Sequence, residues 1–126
     1  GAQGEAFLHW DHAGHWLEYD LTVPTTGTYH LPPRACTAEG ATLRRITVNG
    51  ATPEAGTAQE IVGTGGYSST QDDWRLLLAA DTTGRPITLE LPPGNTRIRL
   101  ENLDGRSLNL NWIALVPAAD VVLPAK

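Results

Sequence analysis

The chain has 126 residues, 40% of them hydrophobic, with 13 Gly, 9 Pro, 4 Trp and no Met, which suits one globular domain around a single core rather than a disordered segment. The net charge is −5 and the basic residues are scattered, with Arg97, Arg99 and Arg106 the nearest thing to a stripe; this argues against nucleic acid, whose binding needs a basic surface. No apolar run approaches the roughly 18 residues that span a bilayer, so no membrane segment is expected.

Residues 1–13 read as a lead-in strand or loop, whose start shows neither a basic n-region nor a long apolar h-region. Within "HWDHAGH", His9, Asp11, His12 and His15 are residue types that zinc uses. On an extended backbone His9 and Asp11 share a face that His12 does not, and Ala13-Gly14 reads as a turn. Solvated or hydrogen-bonded loop polars are therefore preferred to a metal site.

From Gly14 onward the apolar period is two. In "HWLEYDLTVP", Leu17, Tyr19, Leu21 and Val23 share one face, while Trp16, Glu18, Asp20 and Thr22 share the other. Trp16, among polar neighbours, either packs under a loop or forms a platform. "TTGTY" turns into "TYHLPPRACTA", where Pro32-Pro33 marks an edge strand or a bulge. Cys36 in that strand reads as a small buried apolar residue. Being the single cysteine, it rules out an internal disulfide and a cysteine-rich zinc site.

"LRRITVNG" is a strand closed by Asn49-Gly50, a hairpin-turn signal. "EIVGTGGYSST" is a short strand running into a glycine-rich loop, with no helix behind it to hold a phosphate. "DWRLLLAA", "PITLELPPGN", "TRIRLENLDG" and "SLNLNWIAL" complete about eight strands, and turn signals every 8–12 residues predict an all-β antiparallel sandwich over residues 14–117. Residues 118–126 are a tail or a last edge strand.

Enzyme signatures are missing: there is no nucleophile elbow, zinc-protease helix motif, phosphate loop or complete dinucleotide fingerprint. Asp72 with Asp73, or Glu18 with Asp20, could be proposed as an acid–base pair. Adjacent acids point apart on a strand, however, and the second pair reads as a solvated sheet face. The aromatics say more. Tyr19, Tyr29 and Trp112 fall on apolar faces and read as core. Tyr67 and Trp74 instead flank the polar loop "YSSTQDDW", where an exposed or half-exposed ring is expected. A sugar ring has an apolar face and a rim of hydroxyls, so it is held by an aromatic surface and a few oriented polar groups. Tyr67 and Trp74 could supply the surface, and Asn109 with Arg75 or Asp73 the polar part.

In this order, "GHWLEYDLTVPTTGTYHL", the strand ending "ITVNG", "GGYSSTQDDW", "ITLELPPGNTRIRLENL" and "LNLNWIAL" resemble carbohydrate-binding module families 6 and 35. The resemblance runs from Gly14 to Val116. It implies a galactose-binding-like β-jelly-roll that binds a glycan at loops on one end, commonly as an accessory module of an extracellular carbohydrate-active enzyme. Carried across, the family's loop aromatic falls on Tyr67 or Trp74, and its sugar-binding amide falls on Asn109, at the loop end of the last long strand with its amide free. Asn111 falls where the family usually has an aspartate that helps hold a structural calcium. Here the position is a neutral amide, a weaker calcium ligand, and the family's N-terminal acidic strand has no counterpart. Pro33 occupies a position where a hydrogen-bonding residue is usual.

Three readings follow. The first is a non-catalytic glycan-binding module using Tyr67, Trp74, Asn109, Arg75, Asp73 and Trp16, without a required cofactor. It would be secreted, periplasmic or cell-surface, with a fused or associated catalytic domain as neighbour. Arg75, and Arg106 near Asn109, could meet a uronate carboxylate. The second reading is a spacer on the same scaffold that packs against a neighbouring domain, and the third is a small enzyme. Exposure of Tyr67 and Trp74 separates the first two; the third needs a His–acid or acid–acid pair inside a cleft.

Overall fold

A computed structural model describes residues 7–54, 57–68, 71–81 and 83–120. Among these residues there are ten strands: β1 (Trp16–Val23), β2 (Gly27–His30), β3 (Pro33–Cys36), β4 (Ala41–Val48), β5 (Gln59–Val62), β6 (Arg75–Leu76), β7 (Leu89–Leu91), β8 (Gly94–Asn102), β9 (Asn109–Ile113) and β10 (Val116–Pro117). A 3-10 turn over Ala118–Asp120 follows β10. Strand pairing is antiparallel throughout. One sheet has the order β1-β8-β4-β5, and two three-stranded sheets have the orders β10-β2-β7 and β6-β3-β9. The predicted all-β sandwich is the observed fold.

The two-residue period explains the main layer. On β1, Leu17, Tyr19 and Leu21 turn inward and pack on the core, while Trp16, Glu18, Asp20 and Thr22 face water. Its partner β8 does the same with Thr96, Ile98 and Leu100, pairing Tyr19 with Ile98 and Leu17 with Leu100. The Asn49-Gly50 turn closes β4 with positive φ at both residues, 50° and 86°, the geometry a tight primed turn demands. The outer face carries cross-strand ion pairs of Glu18 with Arg99, Asp20 with Arg97 and Glu101 with Arg45.

Pro32 and Pro33 do not make β3 an edge strand; β3 lies between β6 and β9. Both prolines serve only as acceptors: the Pro33 carbonyl takes the Leu77 N–H at 2.9 Å and the Pro32 carbonyl the Ala114 N–H at 2.9 Å. Nor do the prolines mark a bulge on their own strand: Pro33 pairs in register with Ile113, and the irregularity lies one step further on, in the partner strand β9. Arg34 pairs with Trp112 but the next residue, Ala35, pairs with Leu110, so Asn111 is the extra residue of a β-bulge. Trp112 is accordingly half-buried rather than a core residue.

The lead-in belongs to the body of the domain. Phe7 exchanges backbone hydrogen bonds with Leu110, along β9. Trp10 is wholly buried, its indole N–H donating to the His15 carbonyl at 3.0 Å.

Candidate functional site

Three loops and the lead-in converge at one end of the sandwich. The β3–β4 loop meets the loop after β5: Gly63 N–H donates to the Gly40 carbonyl (2.9 Å), Thr64 N–H to the Thr37 carbonyl (3.0 Å), and Thr37 N–H to Thr64 Oγ1 (3.1 Å). The Thr37 hydroxyl reaches the β8–β9 loop, donating to the Ser107 carbonyl at 2.7 Å. Gly63 is required there, since a Cβ would lie 2.1 Å from the Glu39 carbonyl oxygen.

On the side of β3 and β9 facing away from Ala35 and Leu110 stand Cys36 and Asn109, opposite one another in register. The Asn109 side-chain carbonyl accepts the His9 backbone N–H at 2.9 Å. Burial pushes the Cys36 thiol above its ordinary pKa; the hydrogen bond from Asn109 works against this, while Asp73 and Asp72 add to it. Two residues before Cys36, the Arg34 guanidinium lies over the Trp74 ring, 5.7 Å from its centroid. Among the described residues, Arg34 Nη1 is buried and has no hydrogen-bond partner. The segment before Trp74 is clamped by Asp73, whose carboxylate accepts the Ser68 N–H (3.0 Å) and the Gln71 amide (3.2 Å), while its own N–H donates to Ser68 Oγ (2.9 Å). That clamp holds Ser68 at a φ of 63°, in the left-handed region. Tyr67, next to it, is half-buried.

The structure therefore brings Tyr67, Asp73, Trp74, Arg75 and Asn109 to one end, but in roles that differ from those expected. Trp74 is no open platform: only 7% of it is exposed and Arg34 lies over its ring. Nor is the Asn109 amide free, being 4% exposed and committed to His9 and Cys36, because the lead-in runs alongside β9. Asp73 spends both carboxylate oxygens on its own loop. Arg75 is exposed but donates to the Asp72 and Trp74 carbonyls at 3.1 and 2.7 Å. Tyr67 keeps the expected half-exposed ring. Trp16, 44% exposed, stands elsewhere, on the outer face of the four-stranded sheet, with the Arg99 guanidinium 3.9 Å from its ring centroid.

Sequence reasoning missed Arg34. The available signal was an arginine inside the otherwise apolar run "LPPRAC", Leu31–Cys36, where a charge needs a reason. Among the described residues His9, Asp11, His12 and His15 form no metal cluster: His12 Nδ1 lies 2.7 Å from Asp11 with both exposed, and the His15 ring packs edge-on against Phe7. At Asn111 the chain offers a neutral amide, a weaker calcium ligand than a carboxylate, and among the described residues no group of three or more His, Cys, Asp or Glu side chains is placed to hold a metal ion.

A concave surface of about 700 Å³ lies on the outer face of the four-stranded sheet. Its charged walls are already matched, Arg97 with Asp20 at 3.3 Å and Arg99 with Glu18 at 3.0 Å. It also lacks an unsatisfied donor like that of Arg34.

No protein-family model matches the chain, and no curated protein sequence matches it. Solved structures do. A family 35 carbohydrate-binding module from Clostridium thermocellum superposes with a TM-score of 0.73 at 22% identity, covering 94% of this chain and 82% of that one. The family 35 module from Paenibacillus barcinonensis gives 0.74 at 18% identity, covering 94% and 83%. A cycloisomaltooligosaccharide glucanotransferase from Paenibacillus sp. gives 0.71 at 21% identity; 90% of this chain is covered but only 15% of the enzyme. The chain thus has the β-sandwich jelly-roll fold seen in the family 35 carbohydrate-binding modules.

Proposed function

We propose that the domain is a non-catalytic glycan-binding module whose site is the loop end around Arg34, Trp74 and Tyr67. The observation that carries this reading is the buried Nη1 of Arg34, without a partner among the described residues, on a guanidinium that lies over the Trp74 ring. A donor left without a partner costs free energy, and a sugar hydroxyl or carboxylate arriving at the loop end would satisfy it. Tyr67, half-exposed, offers the apolar face of the sugar a surface. The fold of family 35 modules and the 15% share of a large glucanotransferase that the same fold occupies support an accessory role beside a catalytic domain. Such a domain would work outside the cytoplasm. Catalysis finds no support: the His12–Asp11 pair is exposed on the lead-in rather than held in a cleft.

The burial of Trp74 and Asn109 favours one alternative, a spacer on the same scaffold that no longer binds sugar. A glycan-array screen of the folded domain separates the two, followed by titration of each hit against Arg34→Ala. Loss of about 1.5–3 kcal/mol, roughly 10- to 100-fold in affinity, is expected when a charge-assisted hydrogen bond is removed. A blank array from folded protein would leave the spacer reading standing.

A further inference from the structure

We propose that Asp73 is a positioning residue for the loop end: its carboxylate locks the glycine-rich loop, so that the Tyr67 ring stands in a fixed place before a sugar arrives. This role rests on the glycan-binding reading, and it makes Asp73 the residue that holds Tyr67 rather than one that touches the sugar. Asp73 is 4% exposed and bonds reciprocally with Ser68. Its Oδ2 accepts the Ser68 N–H at 3.0 Å, and its own N–H donates to Ser68 Oγ at 2.9 Å. The second oxygen, Oδ1, accepts the Gln71 side-chain amide at 3.2 Å. Short polar side chains readily bond nearby backbone in this way, and an ionised acceptor makes the bond stronger than a neutral one does.

The residues on either side of Tyr67 are shaped to this carboxylate. Gly65 has a φ of 100°, which a side chain would resist. At Gly66 a Cβ would lie 2.4 Å from Asp73 Oδ2, so the carboxylate occupies space that only a glycine leaves. Ser68 holds a φ of 63°, a backbone conformation that a non-glycine residue keeps only when its surroundings impose it. Tyr67 therefore sits between one residue packed against Asp73 and one bonded to it. At its other end the lock is continuous with Trp74, whose N–H donates to Asp72 Oδ1 at 3.1 Å and whose ring lies under Arg34. The loop bearing Tyr67 is thus tied to the segment that carries the rest of the candidate site. A loop ordered in advance loses less freedom on binding, and contact residues held by hydrogen bonds from behind keep their geometry.

The test is amide exchange of the whole chain by NMR, together with binding of any glycan hit. In Asp73→Ala the Ser68 amide is expected to exchange at least about 10-fold faster than in the native chain, while the amides of β8 keep their protection. Asp73→Asn, whose side-chain carbonyl can still accept one hydrogen bond, should fall between the two. Gly66→Ala, which must displace the carboxylate, should speed Ser68 exchange as Asp73→Ala does. Unchanged Ser68 exchange in Asp73→Ala would overturn the proposal, and so would a general loss of protection in β8, which would make Asp73 a residue of the fold rather than of the loop. Should Asp73→Ala not fold, Asp73→Asn and Gly66→Ala decide by the same readout. Against a glycan hit, Asp73→Ala should weaken binding several-fold, and the double variant with Tyr67→Ala should bind no worse than the weaker single variant. Losses that multiply would show that Asp73 does not act through Tyr67, and the proposal would fail. A blank array from folded protein would count against the glycan-binding reading alone, and Ser68 exchange would still judge the lock.

Discussion

Trp74 and Tyr67 look alike in the sequence, flanking the same polar loop, yet the fold gives them opposite tasks. Trp74 is buried beneath Arg34, so truncating it removes core-like packing: Trp74→Ala is expected to cost about 3–5 kcal/mol of stability, read from the urea midpoint at constant slope. Tyr67 is half-buried on the loop, and Tyr67→Ala should change stability by less than about 1 kcal/mol while weakening any glycan hit several-fold. Equal stability losses from the two substitutions would refute this division. What the sequence could not convey is which ring another side chain covers, because that depends on Arg34 arriving from a strand far away in the chain. Cys36 was legible, by contrast: a small residue in an apolar run is buried, and it is. Its thiol is shielded and held above its ordinary pKa chiefly by burial, so thiolate is scarce near neutral pH. A disulfide reagent such as DTNB should label the native chain at pH 7.5 far more slowly than the urea-unfolded chain. Rapid stoichiometric labelling of the native protein would contradict that placement.

Strands β1, β4, β8 and β9 follow from alternating residues, and the Asn49-Gly50 turn from two residues able to adopt positive φ. The short elements were not legible in the same way. "DWRLLLAA" has the apolar content of a full strand but pairs only at Arg75–Leu76 and again at Ala80, since its partners β3 and β5 belong to different sheets. The bulge at Asn111 was likewise hidden, because a single inserted residue leaves the composition of β9 unchanged while shifting its register on β3. Loop seams depend on still finer features. At Gly63 the incoming loop passes so near the β3–β4 loop that a methyl would sit 2.1 Å from a backbone oxygen. Gly63→Ala must therefore push the two loops apart and break the Gly63 and Thr64 hydrogen bonds across the seam. The expected cost is about 2–3 kcal/mol from steric strain and two lost hydrogen bonds, together with faster amide exchange at both residues. Gly40→Ala is the control, since a Cβ there meets nothing within 4 Å. Equal effects from the two glycines would show that backbone entropy, not the close approach, sets the cost.

For the whole molecule the question is where the folding unit begins. The periodicity of the sequence starts after Gly14, which places the sandwich at residues 14–117 and leaves residues 1–13 as a lead-in. The packing draws the line earlier. Phe7 pairs with Leu110 through the backbone, His9 holds Asn109, and Trp10 is 0% exposed with its carbonyl bonded to Arg44 and Asn102. Trp10 escapes a pattern search because one buried tryptophan in a polar loop has no period to reveal it. A chain cut to residues 14–117 would lose that side chain, worth about 3–5 kcal/mol by the usual cost of truncating a core aromatic. It would also leave the fully buried Arg44 without one of its acceptors and without the indole over its charge. Domains of this size are stable by only about 5–15 kcal/mol, and breaking the surroundings of a buried charge costs several more. The shortened chain is therefore expected to be largely unfolded at 25 °C, with no cooperative transition by far-UV circular dichroism, whereas a chain beginning at residue 7 should unfold cooperatively. A cooperative transition in the 14–117 fragment within a few degrees of the full chain would mean that the lead-in is only laid against a finished sandwich, and that Arg44 finds its pairing without it.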